Sequence, residues 1–65
     1  GQNILSPRER EVAILILKGH SSGSVGQHLG IATATVKTHR QNLYAKLGIA
    51  TQQELFSTFL RSLNL

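Results

Sequence analysis

The helix start and stop signals in this chain stand so close together that they leave little choice of fold. Ser6-Pro7-Arg8-Glu9 has the pattern of a capping box. The serine hydroxyl can take the third helical amide, the glutamate can return the bond, and proline occupies the first helical position. Thr51-Gln52-Gln53-Glu54 repeats the box near the other end. Between them, Gly19, Gly30 and Gly48 each follow an apolar periodic segment, where a left-handed glycine ends a helix. These signals predict four helices, over about residues 7–18, 22–29, 33–47 and 52–63, and no stretch alternates with the period of a strand. The expected class is therefore all-α, with residues 1–4 as a tail or linker remnant and 5–65 as the domain.

Sixty-five residues make one small domain, near the lower limit at which an apolar core holds unaided. The lack of cysteine excludes disulfides and thiolate metal sites. No apolar run reaches the length of a membrane span, and no signal-peptide pattern precedes the first charged segment. His20, His28 and His39 lack the paired spacing of a zinc site, so neither metal nor cofactor is expected. Catalysis is not expected either. No glutamate stands in a recognised motif to orient a histidine base, and so small a chain has little room for a substrate cleft. The featureless Gly1-Gln2-Asn3 start suits a domain of a longer protein better than a complete one.

Seven lysines and arginines face only three acids, Glu9, Glu11 and Glu54, for a net charge of +4. Their positions say more than the total. From Val12 to Gln53 there is no acid, while Lys18, Lys37, Arg40 and Lys46 all lie in that interval. Such a stretch is either a solvated basic surface or a face for a polyanion, on which each docked cation releases a condensed counterion.

Helices 2 and 3 are separated by little more than Gly30-Ile31-Ala32, which is the spacing of a helix-turn-helix. Ile31 would plug the turn, with Val25 and Leu29 facing inward, although helix pairs of this kind also occur in bundles that never meet DNA. Projection of helix 3 is more informative. Val36, Leu43 and Leu47 share one stripe, with Arg40 at its edge; Lys37, Thr38 and Gln41 share another, continued by Ala34 and Ala45. Lysine suits guanine, glutamine suits adenine, and threonine offers a hydroxyl or a methyl, so this second face fits base edges in a major groove. A merely solvated face would mix in glutamates for intrahelical ion pairs, and helix 3 has none.

Thr35-Val36-Lys37-Thr38-His39, with Asn42-Leu43 and Lys46-Leu47-Gly48-Ile49, resembles the signature of LuxR/FixJ-type (GerE-like) bacterial transcription regulators. Leu5 to Val12 resembles the start of their DNA-binding domain, and Gln53-Glu54-Leu55 resembles its last helix, so the likeness spans Leu5 to Leu63. The resemblance implies a four-helix effector domain that binds specific double-stranded DNA through helix 3, as a homodimer on two half-sites. It assigns base reading to Lys37, Thr38 and Gln41, the trio the projection also selects. It assigns DNA-backbone contacts to Thr35, Arg40 and Lys46, with Thr51 and Gln52 at the start of helix 4. A helix N-terminus there offers free amides to a phosphate. A receiver or sensor domain on the N-terminal side, absent from this chain, RNA polymerase as a further partner, and the bacterial cytoplasm with its nucleoid are also implied.

Three departures from the family pattern concern stability. Gly23-Ser24 replaces a frequent lysine-glutamate pair and Gly26 replaces alanine, so helix 2 is intrinsically poor, at about 1 kcal/mol for each glycine. Ala32 stands where a serine caps helix 3, a loss of about 1 kcal/mol unless Thr33 takes the role by a later start.

Leu55, Phe56, Phe59, Leu60 and Leu63 make a band on helix 4 wider than one small core requires. Packing takes Leu55 and Phe59 or their neighbours, leaving Phe56, Leu60 and Leu63 for a dimer seam. Ile14 is a further apolar side chain expected at the surface. Two other readings fit parts of the pattern. A promoter-recognition domain like region 4 of a sigma factor has a similar helix-turn-helix, but lacks the Lys-Leu-Gly-Ile stop and the capped, strongly apolar helix 4. A helical protein-interaction module would use the helix 4 band and leave the basic face solvated.

Overall fold

The computed structural model describes residues 4–62. Four helices follow in chain order, α1 (Pro7–Leu17), α2 (Ser22–Leu29), α3 (Thr33–Leu47) and α4 (Gln52–Ser62), and there is no strand among the described residues. No helix is long and apolar enough to cross a membrane.

The local signals act as their chemistry requires. Ser6 Oγ accepts from the Glu9 amide at 3.1 Å and Glu9 Oε1 accepts from the Ser6 amide at 2.9 Å, closing the first capping box. α1 ends one residue earlier than expected, with Lys18 as its C-cap. Gly19 then takes φ +99°. Its amide bonds to the Ile16 carbonyl and that of His20 to the Leu15 carbonyl, the paired bonds that reverse a chain at a left-handed residue. Gly48 repeats the device, with Ile49 bonded to Tyr44. At α4, Thr51 Oγ1 takes the Glu54 amide at 3.1 Å, but the returning Glu54 carboxylate reaches the Ala50 amide at 3.0 Å, one residue further back than in a regular box. The expected end of α4 at Leu63 lies outside the described residues.

α3 begins at Thr33, so Ala32 is the N-cap and no side chain bonds the first turn. Thr33 therefore does not replace the missing cap. It already has helical geometry, and an N-cap must stay extended to turn its side chain back.

The core is built from one to three apolar residues per helix. Val12, Ala13 and Ile16 come from α1, Val25 from α2, Val36 and Leu43 from α3, and Leu55 from α4. Leu29 at the end of α2 and Ile31 in the turn pack against this cluster, as the sequence pattern suggests. α1 lies at the centre, touching α2, α3 and α4, so the turn pair α2–α3 and the last helix are both braced on it. Phe59 departs from expectation. Leu55 is the only buried residue of α4 among the described residues, and Phe59 remains 42% exposed.

Gly26 and Gly23 have opposite roles. A methyl at Gly26 would lie 2.7 Å from the Ile31 carbonyl oxygen, closer than carbon and oxygen approach, whereas one at Gly23 would meet only Ser21 Oγ at 3.9 Å. Glycine thus lets the turn close on α2. Gly26→Ala is expected to cost about 1–2 kcal/mol net, because overpacking outweighs the helix-propensity gain of ~1 kcal/mol. Gly23→Ala keeps that gain and raises the melting temperature. Paired thermal melts by circular dichroism check the two signs.

Candidate nucleic-acid interface

α3 is fixed by what it buries. Val36 and Leu43 are fully buried and Leu47 packs at the edge of the core, which sets the rotation of the helix about its axis. The same rotation leaves Lys37, Thr38 and Gln41 exposed, with Ala34 and Ala45 beside them. Positions 34, 38, 41 and 45 fall along one helical stripe and 37 is adjacent to it, so the sequence-selected trio does share one solvent face. Thr38 Oγ1 donates to the Ala34 carbonyl at 3.2 Å. Its hydroxyl proton is thereby used, and what Thr38 presents outward is a methyl and oxygen lone pairs, suited to thymine methyl contact or to a donor.

The residues expected at the DNA backbone differ in how free they are. Thr35 is exposed in the uncapped first turn of α3, where backbone amides have no side-chain partner. Arg40 is half-buried and its Nη1 donates to Ser22 Oγ at 3.0 Å, tying α3 to the first turn of α2. A guanidinium has five N–H donors, so four remain. Gln52 is exposed at the start of α4. Thr51 is also exposed, but its hydroxyl is engaged with Glu54, whose carboxylate occupies the same helix N-terminus that a phosphate would approach.

Lys46 holds a contact that the sequence did not reveal. Its Nζ lies 2.7 Å from Oε1 of Glu9, a buried carboxylate. Glu9 therefore closes the α1 capping box and locks the last turn of α3 to the first turn of α1 at once. The hydrogen bond from Lys46 is the main cause that holds the Glu9 carboxyl below its ordinary pKa, with the Ser6 amide adding to it against a desolvation penalty. A depressed carboxyl pKa means that the unfolded chain binds the proton more readily. The stabilisation is thus present above the unfolded pKa and lost as pH falls through the folded one. Urea midpoints measured from about pH 7 to about pH 3 should fall with acid, and Glu9→Gln should lower the neutral midpoint while flattening that fall.

The dimer-seam candidates Phe56 and Leu60 lie exposed on α4, and Leu63 lies outside the described residues. The histidines do not converge on one centre. His20 and His28 meet edge to face with ring centroids 4.5 Å apart, His20 Nδ1 bonds Ser24 Oγ at 2.8 Å, and His39 is half-buried on α3. No three of His, Cys, Asp or Glu gather as metal ligands would among the described residues.

Comparison with known proteins bears on the same helices. The family model described as bacterial regulatory proteins, luxR family, matches residues 3–59. A transcriptional regulator of the HTH type in the exeN 3′ region of Aeromonas salmonicida is 44% identical over 63 residues, covering 97% of this chain and 32% of its own. The transcriptional regulatory protein MctR of Rhizobium johnstonii is 49% identical over 51 residues, 78% of this chain and 24% of its own. The HTH-type transcriptional regulator MalT of Yersinia pestis is 46% identical over 50 residues, 77% of this chain and 6% of its own. The chain thus spans a third or less of the length of these curated relatives.

Proposed function

The chain belongs to the luxR family of bacterial regulatory proteins, as a helix-turn-helix domain, and from that membership we propose that it binds specific double-stranded DNA to regulate transcription. α3 lies in the major groove, with Lys37, Thr38 and Gln41 on base edges. The observation that carries this reading is the exposed, acid-free face of α3 opposite Val36 and Leu43. That face holds a lysine for guanine, a glutamine for adenine and a threonine methyl for thymine.

Phosphates meet Thr35, Arg40 and Lys46 of α3, and Thr51 and Gln52 at the start of α4. Lys46 keeps two of its three ammonium hydrogens for a phosphate while bonded to Glu9. The single hydroxyl hydrogen of Thr51 goes to Glu54, so donors at that end come from Gln52 and the backbone. Two copies bind two half-sites, paired through Phe56 and Leu60 of α4 together with Leu63. This supplies specificity that one small module lacks. The same reading puts the protein in the bacterial cytoplasm, on the nucleoid when bound, with a receiver or sensor domain controlling it and RNA polymerase as a further partner.

In vitro selection from random duplex DNA, followed by fluorescence anisotropy at fixed salt, tests the proposal. An enriched motif with two half-sites, bound more weakly as salt rises, is the expected result. No enriched motif would remove sequence-specific binding, and a salt-independent affinity would remove its electrostatic basis.

A further inference from the structure

All three carboxylate side chains of the chain are engaged. Glu9 holds Lys46, Glu54 takes the Ala50 amide and the Thr51 hydroxyl, and Glu11 lies 3.4 Å from Arg8. Among the described residues the ion pairs are Arg8–Glu11 and Lys46–Glu9, and neither includes Arg10, Lys18, Lys37, Arg40 or Arg61. Lys37 and Arg40 belong to α3 and the DNA reading. The other three surround apolar surface elsewhere.

That surface is a groove between α1 and α4. Its floor includes Ala13, Leu17 and Leu55, and its walls are Ile14 and Phe59, exposed to 44% and 42%. Ile14, Leu17 and Phe59 also line an adjoining hollow, which Phe56 of the proposed dimer seam closes on its far side, so the two form one continuous apolar depression that ends at the seam. Arg10 lines the first part and Lys18 the second. Arg61 lines neither part, but donates to Oγ1 of the groove residue Thr58 at 3.3 Å. Arg10 and Ile14 of α1 and its C-cap Lys18 follow at intervals of four residues, so two cations bracket an exposed isoleucine over about 12 Å.

We propose that this groove receives an acidic amphipathic helix of a partner protein, with apolar residues along the floor and carboxylates on Arg10 and Lys18. About two turns of such a helix match the distance between the cations. Charge selects this occupant. A second copy can meet the seam at Phe56 and Leu60, but laid over the groove itself by a two-fold axis it would set Arg10 and Lys18 against their own kind, which like-charge repulsion opposes. A nucleic-acid strand would find cations at the rim but an apolar floor that its phosphates cannot use. None of Lys37, Thr38 and Gln41 lines the groove, so a partner can bind while α3 holds DNA.

The test is an NMR titration of the isotope-labelled chain with a synthetic alanine-rich helix of about 16 residues, carrying leucines at helical spacing and flanking glutamates. Its control has every glutamate replaced by lysine. Saturable amide shifts at Ile14, Leu17, Lys18 and Phe59 are expected, with the control binding at least about tenfold more weakly. Arg10→Glu combined with Lys18→Glu should reverse that order. Ile14→Ser, at an exposed position, should abolish the groove shifts with thermal unfolding unchanged. Equal binding of the two peptides overturns the proposal, as do shifts centred on Lys37 to Gln41. Shifts at Arg10 and Ile14, away from the proposed Phe56–Leu60 seam, that follow dilution of the chain alone would assign the groove to a second copy and equally overturn it.

Discussion

Leu43→Ala is expected to leave the domain largely unfolded near physiological temperature. Leu43 is the largest of the fully buried side chains, and it comes from the middle of the helix that carries the proposed reading face. Truncating a buried leucine to alanine costs about 2–5 kcal/mol, since transfer energy is lost and the surroundings close only part of the cavity. A domain of this length has a total stability of only about 3–10 kcal/mol. The substitution thus removes much or all of it, and the melting temperature should fall by at least about 10 °C. Little room exists for compensation, because each helix contributes so few buried residues. A loss below about 1 kcal/mol in urea titration would mean that α3 is rotated away from the orientation described, and the assignment of its outer face would go with it.

Two residues earlier, the expected outcome is the opposite. Gln41→Ala should fold like the parent, because its side chain is exposed and no hydrogen bond within the described residues depends on it. On DNA it should relax preference at one base pair, at a cost of roughly 1–3 kcal/mol there, with other positions unaffected. Lys46→Ala should behave differently again. It weakens binding to all sequences about equally through the lost phosphate contact. It also destabilises the fold, because Glu9 would be left buried without its cation. Competition anisotropy against a panel of single-base variants, alongside melts of each protein, separates these effects. Base-specific loss from Lys46→Ala with uniform loss from Gln41→Ala would show that the groove meets another side of α3.

What the sequence made legible was whatever is set locally. Capping boxes, left-handed glycines and the period of α3 act within four residues, and they locate the four helix starts and the ends of α1, α2 and α3 to within a residue. The pairing of Lys37, Thr38 and Gln41 on one face follows from the same periodicity. What escaped depends on how helices lie against each other. Lys46 and Glu9 are 37 residues apart, and Arg40 and Ser22 are 18 apart, with no local pattern to announce either contact. The one available hint was scarcity: with three acids in the chain, a glutamate already committed to a cap was a ready partner for some cation. Spacing alone puts Phe59 or a neighbour in the core, because it falls near Leu55 on α4. The shallow packing of α4 on α1, with one buried residue, leaves it at the groove. The signal for Thr51 was double. The same helix start was read as a capping box and as a phosphate contact, and the box claims the hydroxyl.

The central claim is that the face of α3 opposite Leu43 is the one that meets bases. Chemical-shift mapping on the selected duplex tests it most directly, because every residue is observed in one bound state. The account predicts the largest changes at Lys37, Thr38 and the side-chain amide of Gln41, with smaller ones at Thr35, Arg40 and Gln52 and almost none in the α1–α4 groove. Largest changes in α1 or α4, with the Gln41 amide unmoved, would contradict it.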